Sequence, residues 1–308
     1  MMFPLVSIIV PTCNGARYIL SALQSAIKQT YRPIEIVVSD DASSDGTVAL
    51  IQRAVKTADV SCRIFAHKPE GMVENWNFCV CQAKGEFIKF LFQDDILEPE
   101  CVEKMMGVVQ ERPSVGMVFC QRNLLGEEDY LPLDFVVDPL FKPGRQHIHT
   151  HWKHLDRYQT GLSLLGDPHL FHSYYNNVGE PSCVMLRRDV FDRVGFFDVS
   201  YCQAVDIEFW LRVMLCYDVG FVNQALAGFR VHSTQQTFKN EISGKAREDW
   251  DRFFHWVYTG PVRAYLHPKV RFMIERRCSM KGLLRETEKS VMCKVFDLLR
   301  RLRLRCGL

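Results

Sequence analysis

The sequence predicts an α/β protein in which a mostly parallel central sheet is flanked by helices. Short apolar runs typical of buried strands recur along the first 120 residues, and segments with helical periodicity separate them. Strands that alternate with helices pair in parallel, because each helix crosses over the sheet to reach the next strand. We therefore expect helices on both faces of this sheet.

Each predicted element follows from its own pattern. The strands are β-branched or aromatic runs at residues 6–10, 34–38, 62–66, 87–92, 115–120, 182–186 and 219–222. The helices have apolar residues at helical spacing or open on capping residues, and they occupy residues 17–28, 48–55, 75–83, 99–111, 188–194 and 206–216. Periodicity is poor from residue 121 to about 177. Beyond residue 228 the pattern is helical, with breaks at Pro261 and Pro268.

The bulk composition is that of an ordinary globular protein. Hydrophobic residues make up 47% of the 308 residues and charged residues 24%. A net charge of +2 argues against nucleic acid as a partner. The 12 cysteines show no pair at the spacing of a zinc or redox motif, which favours reduced thiols in a cytoplasmic protein. The N-terminus lacks the pattern of a signal peptide, and no apolar run is long enough to span a bilayer.

Two adjacent carboxylates, Asp94 and Asp95, end the fourth predicted strand. Ligands of open α/β sheets bind beyond the carboxyl ends of the strands. Neighbouring carboxylates repel each other unless a positive charge lies beside them, and Mg²⁺ or Mn²⁺ is bound by one or two carboxylates together with phosphate oxygens. The pair therefore predicts a metal–diphosphate site, and the alternative is a solvated turn.

Four motifs occur in order on matching predicted elements. They are Pro11-Thr12-Cys13-Asn14, the segment 39–47 (SDDASSDGT), the segment 85–95 (GEFIKFLFQDD), and the segment 206–212 (DIEFWLR) with Phe229-Arg230-Val231-His232. In this order the set resembles the family 2 glycosyltransferases of the GT-A fold over roughly residues 5 to 235. The segment at 75–77 is similar to a bacterial subgroup that builds cell-surface polysaccharide or lipopolysaccharide.

The resemblance implies a division of the chain. Residues 1–240 are expected to form the GT-A domain, with a nucleotide-binding half at 1–120 and an acceptor-binding half at 121–240. Residues 241–308 are expected to form a helical C-terminal extension. The reaction implied is transfer of a sugar from a nucleotide diphosphate, with UDP favoured, to a glycan or lipid-linked acceptor.

The resemblance also implies the residues of the nucleotide site. Asp41 is expected to accept a hydrogen bond from the imide of the nucleobase, and a base without that donor would leave it unpaired. Pro11, Cys13 and Asn14 would line the base pocket. Cys13 stands where the family often has an aromatic residue, so stacking on the base would be weaker. Asp94 matches a position that contacts the ribose or a phosphate.

For the metal and the leaving group, the resemblance implies Asp95 and His232 as ligands of Mn²⁺ or Mg²⁺. Gln93 replaces the first acidic residue of the family's Asp-X-Asp motif. Asn77 is a candidate contact of the donor sugar, and Arg230 a candidate contact of the diphosphate. The simpler interpretation of His232 and Arg230 is a structural role.

Asp206 is the predicted general base. It lies at the start of a predicted helix, where the dipole is expected to keep the carboxylate ionised. An ionised carboxylate near the anomeric carbon can take the proton of an incoming hydroxyl, in a single displacement that inverts the anomeric configuration. The alternative is a helix N-cap only. Glu180 and Asp198 are expected on the acceptor side.

Two further segments allow two interpretations each. His147, His149, His151 and His154 could bind zinc, although a loop on the acceptor side explains them as well. Residues 281–308 carry eight basic and three acidic residues, with an apolar stripe at helical spacing. Such a helix suits an anionic membrane surface on the cytoplasmic side, and it suits packing on the core equally.

Three other kinds of function would make different demands on the sequence. A nicotinamide-dependent oxidoreductase would need a glycine-rich turn after the first strand, and the segment at 11–15 is not one. A non-catalytic nucleotide-sugar-binding or scaffold protein would not need Asp41, Asp95 and Asp206 together. A glycan-binding module would not require a metal–diphosphate site.

Overall fold

A single mixed sheet runs through the computed structural model, which describes residues 3–126, 146–147, 150, 152, 155–171 and 176–279. Within these residues the strands are β1 (Val6–Thr12), β2 (Ile34–Asp41), β3 (Ser61–His67), β4 (Phe87–Phe90), β5 (Ile96–Leu97), β6 (Val115–Gly126), β7 (Gln146–His147), β8 (Tyr158–Thr160), β9 (Val184–Arg187) and β10 (Asp218–Val231). The helices are α1 (Ile19–Ile27), α2 (Thr47–Val55), α3 (Met72–Gln82), α4 (Cys101–Glu111), α5 (Gly161–Leu165), α6 (Asp189–Val194), α7 (Val205–Met214), α8 (Gln236–Ser243), α9 (Lys245–Thr259) and α10 (Pro268–Cys278).

The strand order is β3-β2-β1-β4-β9-β6-β10-β5, with β7 paired to β6 and β8 to β10. The first four strands of this order are parallel. Antiparallel β9 joins them to β6, and β6 pairs in parallel with β10. The predicted α/β architecture, a central sheet flanked by helices, is confirmed. The sheet is parallel in its N-terminal half and mixed beyond β4.

The core explains why the first strands could be predicted. Every residue of β1 and β2 is buried, so both strands are largely apolar up to the polar residues at their ends. The buried exceptions, Ser7 and Glu35, are paired, since the Ser7 hydroxyl donates to Glu35 Oε1 at 2.6 Å. Helix α1 buries Ile19, Ala22, Leu23 and Ala26, which are three or four residues apart and therefore share one face. Burying each large apolar side chain contributes roughly 1.5–3 kcal/mol.

The strand predicted at 87–92 ends at Phe90, because residues 92–95 form a turn closed by the Asp95 amide donating to the Phe92 carbonyl at 3.1 Å. Strands β5 and β8 and helix α5, each two to five residues long, are additional to the prediction. They are too short for a periodic pattern.

Some predictions fall outside the described residues. These are the side chains of the histidine run 147–154 and the basic segment 281–308, so the zinc and membrane hypotheses for them stay predictions. In the described part of the chain, no helix combines the length and apolarity that crossing a bilayer requires. The ten cysteines described there are free thiols.

Candidate active site

A cavity of about 1130 Å³ opens beyond the carboxyl ends of β1 and β2. Its wall contains most of the predicted site residues, although they come from both halves of the chain: Pro11, Cys13, Asn14, Asp41, Asp94, Glu180, Asp206 and His232. Four predicted residues are not on its wall: Asn77, Asp95, Asp198 and Arg230. The structure therefore brings the predicted nucleotide residues and the predicted base to one cavity.

Asp41 lies at the end of β2 with both carboxylate oxygens already hydrogen-bonded. The amide of Glu70 donates to Oδ1 at 2.7 Å and the amide of Gly71 to Oδ2 at 3.1 Å. Each carboxylate oxygen can accept more than one hydrogen bond, so Asp41 retains capacity toward the cavity. Its neighbour Asp40 accepts from the Ser43 amide at 2.9 Å and so shapes the loop after β2.

Asn14 joins the loops that follow β1 and β2. It adopts a positive φ of 49°, a conformation that asparagine tolerates better than most residues. Its amide donates to Ser43 Oγ at 2.7 Å, and its Oδ1 accepts from the Ser44 amide at 2.9 Å. Asp45 adds a second link by accepting from the Ala16 amide at 3.0 Å. These contacts fix the shape of the cavity at the end where the nucleobase is expected.

Gln93 has a role that the sequence did not reveal. Its Oε1 accepts from Thr12 Oγ1 at 2.6 Å and from the Cys13 amide at 2.8 Å, and its Nε2 donates to the Cys13 carbonyl at 3.1 Å. A carboxylate could not make the last bond, because it has no donor. The replacement of an acidic residue by Gln93 therefore ties the turn after β4 to the end of β1. Gly15 permits this, since a Cβ there would lie 2.3 Å from Gln93 Oε1.

Asp94 and His232 meet at the cavity wall, although 138 positions separate them. Asp94 Oδ2 lies 2.9 Å from His232 Nε2, and His232 Nδ1 lies 2.9 Å from Thr234 Oγ1. Strand β10 places His232 immediately after its last residue, beside the turn that follows β4. A carboxylate and an imidazole therefore face the cavity together.

Asp95 is not on the cavity wall. It is 1% exposed, and its Oδ1 accepts from the Arg230 amide at 2.9 Å. Within the described residues, Oδ2 has no hydrogen-bond partner. Burial and the neighbouring Asp94 raise the pKa of Asp95 well above its usual range. In the predicted carboxylate pair, Asp94 is thus the residue on the wall and Asp95 lies behind it.

Arg230 supports the same turn instead of lining the cavity. Its Nε donates to the Asp94 carbonyl at 2.8 Å, and its guanidinium lies 4.7 Å from the centre of the Tyr18 ring. Alternation along β10 explains this orientation, since Phe229 and Val231 are the residues that face the cavity. The contacts of Arg230 in this structure are structural ones, and its expected contact with the diphosphate stays a prediction.

Asn77 and Asp198 do not line the cavity, and their expected roles toward the donor sugar and the acceptor stay predictions. Asn77 Nδ2 donates to the Phe197 carbonyl at 2.9 Å and its Oδ1 accepts from the Phe197 amide at 3.1 Å, which uses its side chain away from the cavity. Asp198 is exposed and accepts from the Ser200 amide at 2.8 Å. Asn75 reaches the wall instead, where its Nδ2 donates to the Thr12 and Ser39 carbonyls at 3.3 and 3.1 Å.

Asp206 lies in the first turn of α7 on the cavity wall. Its Oδ2 accepts from Asn176 Nδ2 at 2.9 Å, and its Oδ1 accepts from the Ile207 amide at 2.7 Å. Burial nevertheless raises the pKa of Asp206 to about 7, so removal from water outweighs the hydrogen bonds and the helix dipole. The expectation of a fully ionised carboxylate is therefore wrong. A pKa near neutrality suits a group that takes up a proton.

Arg122 is a cationic residue of the wall that sequence reasoning missed. It forms an ion pair with Glu180, and its guanidinium lies 5.2 Å from the centre of the Phe229 ring. Burial lowers the pKa of Arg122, and its charge favours the ionised form of Asp206. Strand β6 reaches Gly126, six residues past its predicted end, and this extension carries Arg122 into the site. Extending the predicted strand to residue 126 would have placed Arg122 at the site.

The donor set at Asp94 can accommodate a divalent cation. No group of three or more metal-type ligands is assembled among the side chains that the structure describes. Asp94 and His232 supply two, which fits an ion whose remaining ligands are diphosphate oxygens and water. Asp95 lies directly behind them, and its Oδ2 is buried.

Comparison with known proteins gives the family. The model of the family described as "Glycosyl transferase family 2" matches residues 7–195, more than half of the chain. An uncharacterized protein of Mycobacterium tuberculosis is 31% identical over 260 residues, which are 84% of this chain and 77% of that protein. An uncharacterized glycosyltransferase of Rickettsia typhi is 29% identical over 236 residues, which are 76% of this chain and 66% of the relative.

Solved structures share the fold. TarS of S. aureus (residues 1–349, with UDP-GlcNAc) superposes with a TM-score of 0.64 at 17% identity, covering 90% of this chain and 74% of that one. The mannosyltransferase PcManGT of Pyrobaculum calidifontis, in complex with GDP-Man and Mn²⁺, gives 0.62 at 18%, covering 91% and 71%. The matched family model, the relatives and the architecture agree: the chain belongs to glycosyl transferase family 2, and the protein is a glycosyltransferase of the GT-A fold.

Proposed function

We propose that this protein is an inverting glycosyltransferase that moves a sugar from a nucleotide diphosphate to a hydroxyl of a glycan or lipid-linked acceptor. The observation that carries the proposal is that Asp206 and the Asp94–His232 pair line one cavity with the ends of β1 and β2. The volume of about 1130 Å³ is large enough for a nucleotide sugar and part of an acceptor.

The nucleotide would lie against the ends of β1 and β2, with its base near Asp41 and Cys13. UDP is the favoured nucleotide, since the preorganised Asp41 carboxylate can accept from the imide of uracil. TarS was solved with UDP-GlcNAc and PcManGT with GDP-Man, so relatives of this fold accommodate both nucleotides. Support for UDP over GDP comes from the resemblance alone, because the ring N–H of guanine can also donate to Asp41.

We propose Asp94 and His232 as the residues that hold Mn²⁺ or Mg²⁺, with Asp95 as the support behind them. A divalent ion, when bound, offsets the charge that develops on the leaving diphosphate. Arg230 fixes the backbone of Asp94 and the side chain of Asp95, and so keeps the carboxylate of Asp94 aimed at the cavity.

Asp206 would act as the general base. The acceptor oxygen forms a bond to the anomeric carbon as the bond from that carbon to the diphosphate oxygen breaks, and the proton of the acceptor passes to Asp206. The diphosphate leaves with the electron pair of the broken bond, and one displacement inverts the configuration. The Arg122–Glu180 pair lies on the same wall and is the proposed contact for acceptor hydroxyls.

The cellular setting follows from composition and from the proposed acceptor. Free cysteines in the described part of the chain favour a reducing compartment, and we propose the cytoplasm. Assembly of a bacterial cell-envelope polysaccharide is the proposed pathway class. If the acceptor is lipid-linked, the basic segment 281–308 would contact the membrane surface, and loss of vesicle binding on its deletion would test this.

A thermal-shift panel of UDP, dTDP and GDP, each with and without Mn²⁺, tests the donor site. We expect one nucleotide, UDP first, to raise the melting temperature in a Mn²⁺-dependent way, since ligands that bind the folded state stabilise it. Asp94→Asn should abolish the Mn²⁺ dependence, and Asp192→Asn, an exposed carboxylate on α6, should not. A flat panel would favour the alternative of a non-catalytic scaffold protein.

A further inference from the structure

The short loop that leads into α7 is held by a carboxylate from the C-terminal helices. Asp249 lies on α9 and is 3% exposed. Its Oδ1 accepts from the Cys202 amide at 3.2 Å, and its Oδ2 accepts from the Gln203 and Ala204 amides, both at 2.7 Å. One buried side chain therefore binds three consecutive backbone amides directly before the helix that carries Asp206.

These amides need a partner for a physical reason. The first N–H groups of a helix and of the residues leading into it have no acceptor within the helix. Ala204 is the N-cap of α7 and has no side chain that could accept. A carboxylate at a helix N-terminus also interacts favourably with the helix dipole, and hydrogen bonds to a charged acceptor are the stronger kind. Asp249 thus caps α7 from a different helix.

Asn240 of α8 holds the same loop from its other side. It is buried, and its Nδ2 donates to the Cys202 carbonyl at 2.8 Å and to Gln203 Oε1 at 3.0 Å. Gln203 is itself on the cavity wall and directly precedes Ala204, the N-cap of α7. Both Asn240 and Asp249 lie beyond residue 195, where the match to the family model ends.

We propose that Asp249 is the positioning residue for the general base: it fixes the start of α7 and thereby the place of the Asp206 carboxylate in the cavity. This inference rests on the proposed function. Asp206 lies only two residues after Ala204, so a shift of the loop moves it directly. A misplacement of about 1 Å in a reacting group can lower the rate about 10²-fold.

The Asp249→Asn variant tests this, because an amide cannot accept from three N–H groups as a carboxylate does. We expect kcat to fall roughly 10²-fold while KM for the donor stays within about threefold, since the nucleotide site is on other elements. Looser packing at α7 should admit water to Asp206 and move the acidic limb of the pH–rate profile to lower pH. Arg122 and Asn176, which act on the same carboxylate, are unchanged in the variant.

Hydrogen exchange at residues 202–204 measures the clamp, meaning the three hydrogen bonds from these backbone amides to Asp249, and should be faster in the variant. The matched control is Asp251→Asn on the same helix, where an exposed ion pair with Arg277 is lost and neither rate nor exchange should change. If Asp249→Asn does not fold, Asp249→Glu keeps the charge and displaces it, and should show a smaller loss of kcat.

Normal transfer by the wild type together with an unchanged kcat and pH profile in Asp249→Asn would overturn the positioning role alone. Unchanged hydrogen exchange would overturn the clamp. A wild-type protein that binds the nucleotide but transfers no sugar would overturn the proposed function, and the positioning role with it.

Discussion

The two walls of the cavity are assembled differently. The nucleotide wall is made where neighbouring parallel strands end, and turns such as the one closed by the Asp40–Ser43 bond shape it, while His232 and Arg230 from the second half of the chain complete it at Asp94 and Asp95. The wall that carries Asp206 depends on residues far apart in the chain, as in the bonds of Asp249 to the loop at 202–204 and of Asn176 to Asp206. The binding of the donor and the placement of the general base can therefore be disturbed separately.

The largest effect should come from Asp206→Asn, which leaves the nucleotide wall intact and removes the base. We expect transfer to fall about 10²–10⁴-fold, the usual contribution of general-base catalysis. The thermal shift given by nucleotide and Mn²⁺ should be unchanged. Release of nucleoside diphosphate, measured beside the thermal shift, separates the two walls. An equal loss of nucleotide binding would contradict their independence.

The pH dependence of the transfer rate should arise from the wall that carries Asp206. The rate should rise about tenfold per pH unit up to a pH near 7 and level off above it, since the raised pKa of Asp206 is about 7 and only the ionised form accepts a proton. The readout is kcat/KM of the wild type between about pH 5 and 8.5, a range that spans this pKa. A flat profile over this range would contradict the assignment.

The same group predicts the pH dependence of stability. A carboxyl group with a raised folded-state pKa binds protons more tightly in the folded than in the unfolded protein, so it lowers stability as pH rises from about 4 to 7. Urea unfolding of the wild type and of Asp206→Asn should therefore diverge with pH, with the variant gaining up to about 4 kcal/mol relative to the wild type near pH 7. A constant difference would mean that folding does not raise the pKa of Asp206.

At the turn after β4, Asp94→Asn and Asp95→Asn should differ in their effects on Mn²⁺-dependent nucleotide binding. Asp94→Asn should remove the Mn²⁺ dependence of nucleotide binding and leave the melting temperature of the free protein nearly unchanged. Asp95→Asn should retain the Mn²⁺ dependence in weaker form, because Asp95 acts from behind. If Asp95→Asn lost all Mn²⁺ dependence and Asp94→Asn kept it, Asp95 would be the metal ligand, as the sequence predicted.

The smallest effect is expected from Gln93→Leu, which leaves the Thr12 hydroxyl and the Cys13 amide without their partner. An unsatisfied polar group costs about 1–3 kcal/mol when buried, and the partial exposure here favours the lower value. Chemical unfolding measures the loss, and Gln52→Leu, an exposed position on α2, is the control. Equal stability of the two variants would show that Gln93 does not tie β1 to the turn.

The same division explains what the sequence could predict. Strands β1, β2 and β4 are mostly buried and largely apolar, so their ends, and with them Pro11, Asp41 and Asp94, follow from local pattern. A turn anchored by Arg230 decides which of Asp94 and Asp95 faces the cavity. Arg230 is 135 positions from Asp95, so the local sequence could not predict this.

The second wall was predictable only in part. The resemblance indicated Asp206, but its raised pKa results from enclosure by segments whose packing no pattern reveals. Arg122 and Asp249 were missed for related reasons. Arg122 lies on the part of β6 where the pattern loosens, and Asp249 looks like any acidic residue of a charged helix until the loop at 202–204 is placed beside it.

The most direct test of the account is a crystal structure with Mn²⁺ and an unreactive UDP-sugar, with anomalous scattering used to locate the metal. We expect a manganese peak beside Asp94 and His232, the nucleobase next to Asp41, and the anomeric carbon facing Asp206. A peak elsewhere, or a nucleotide bound outside the cavity, would contradict it.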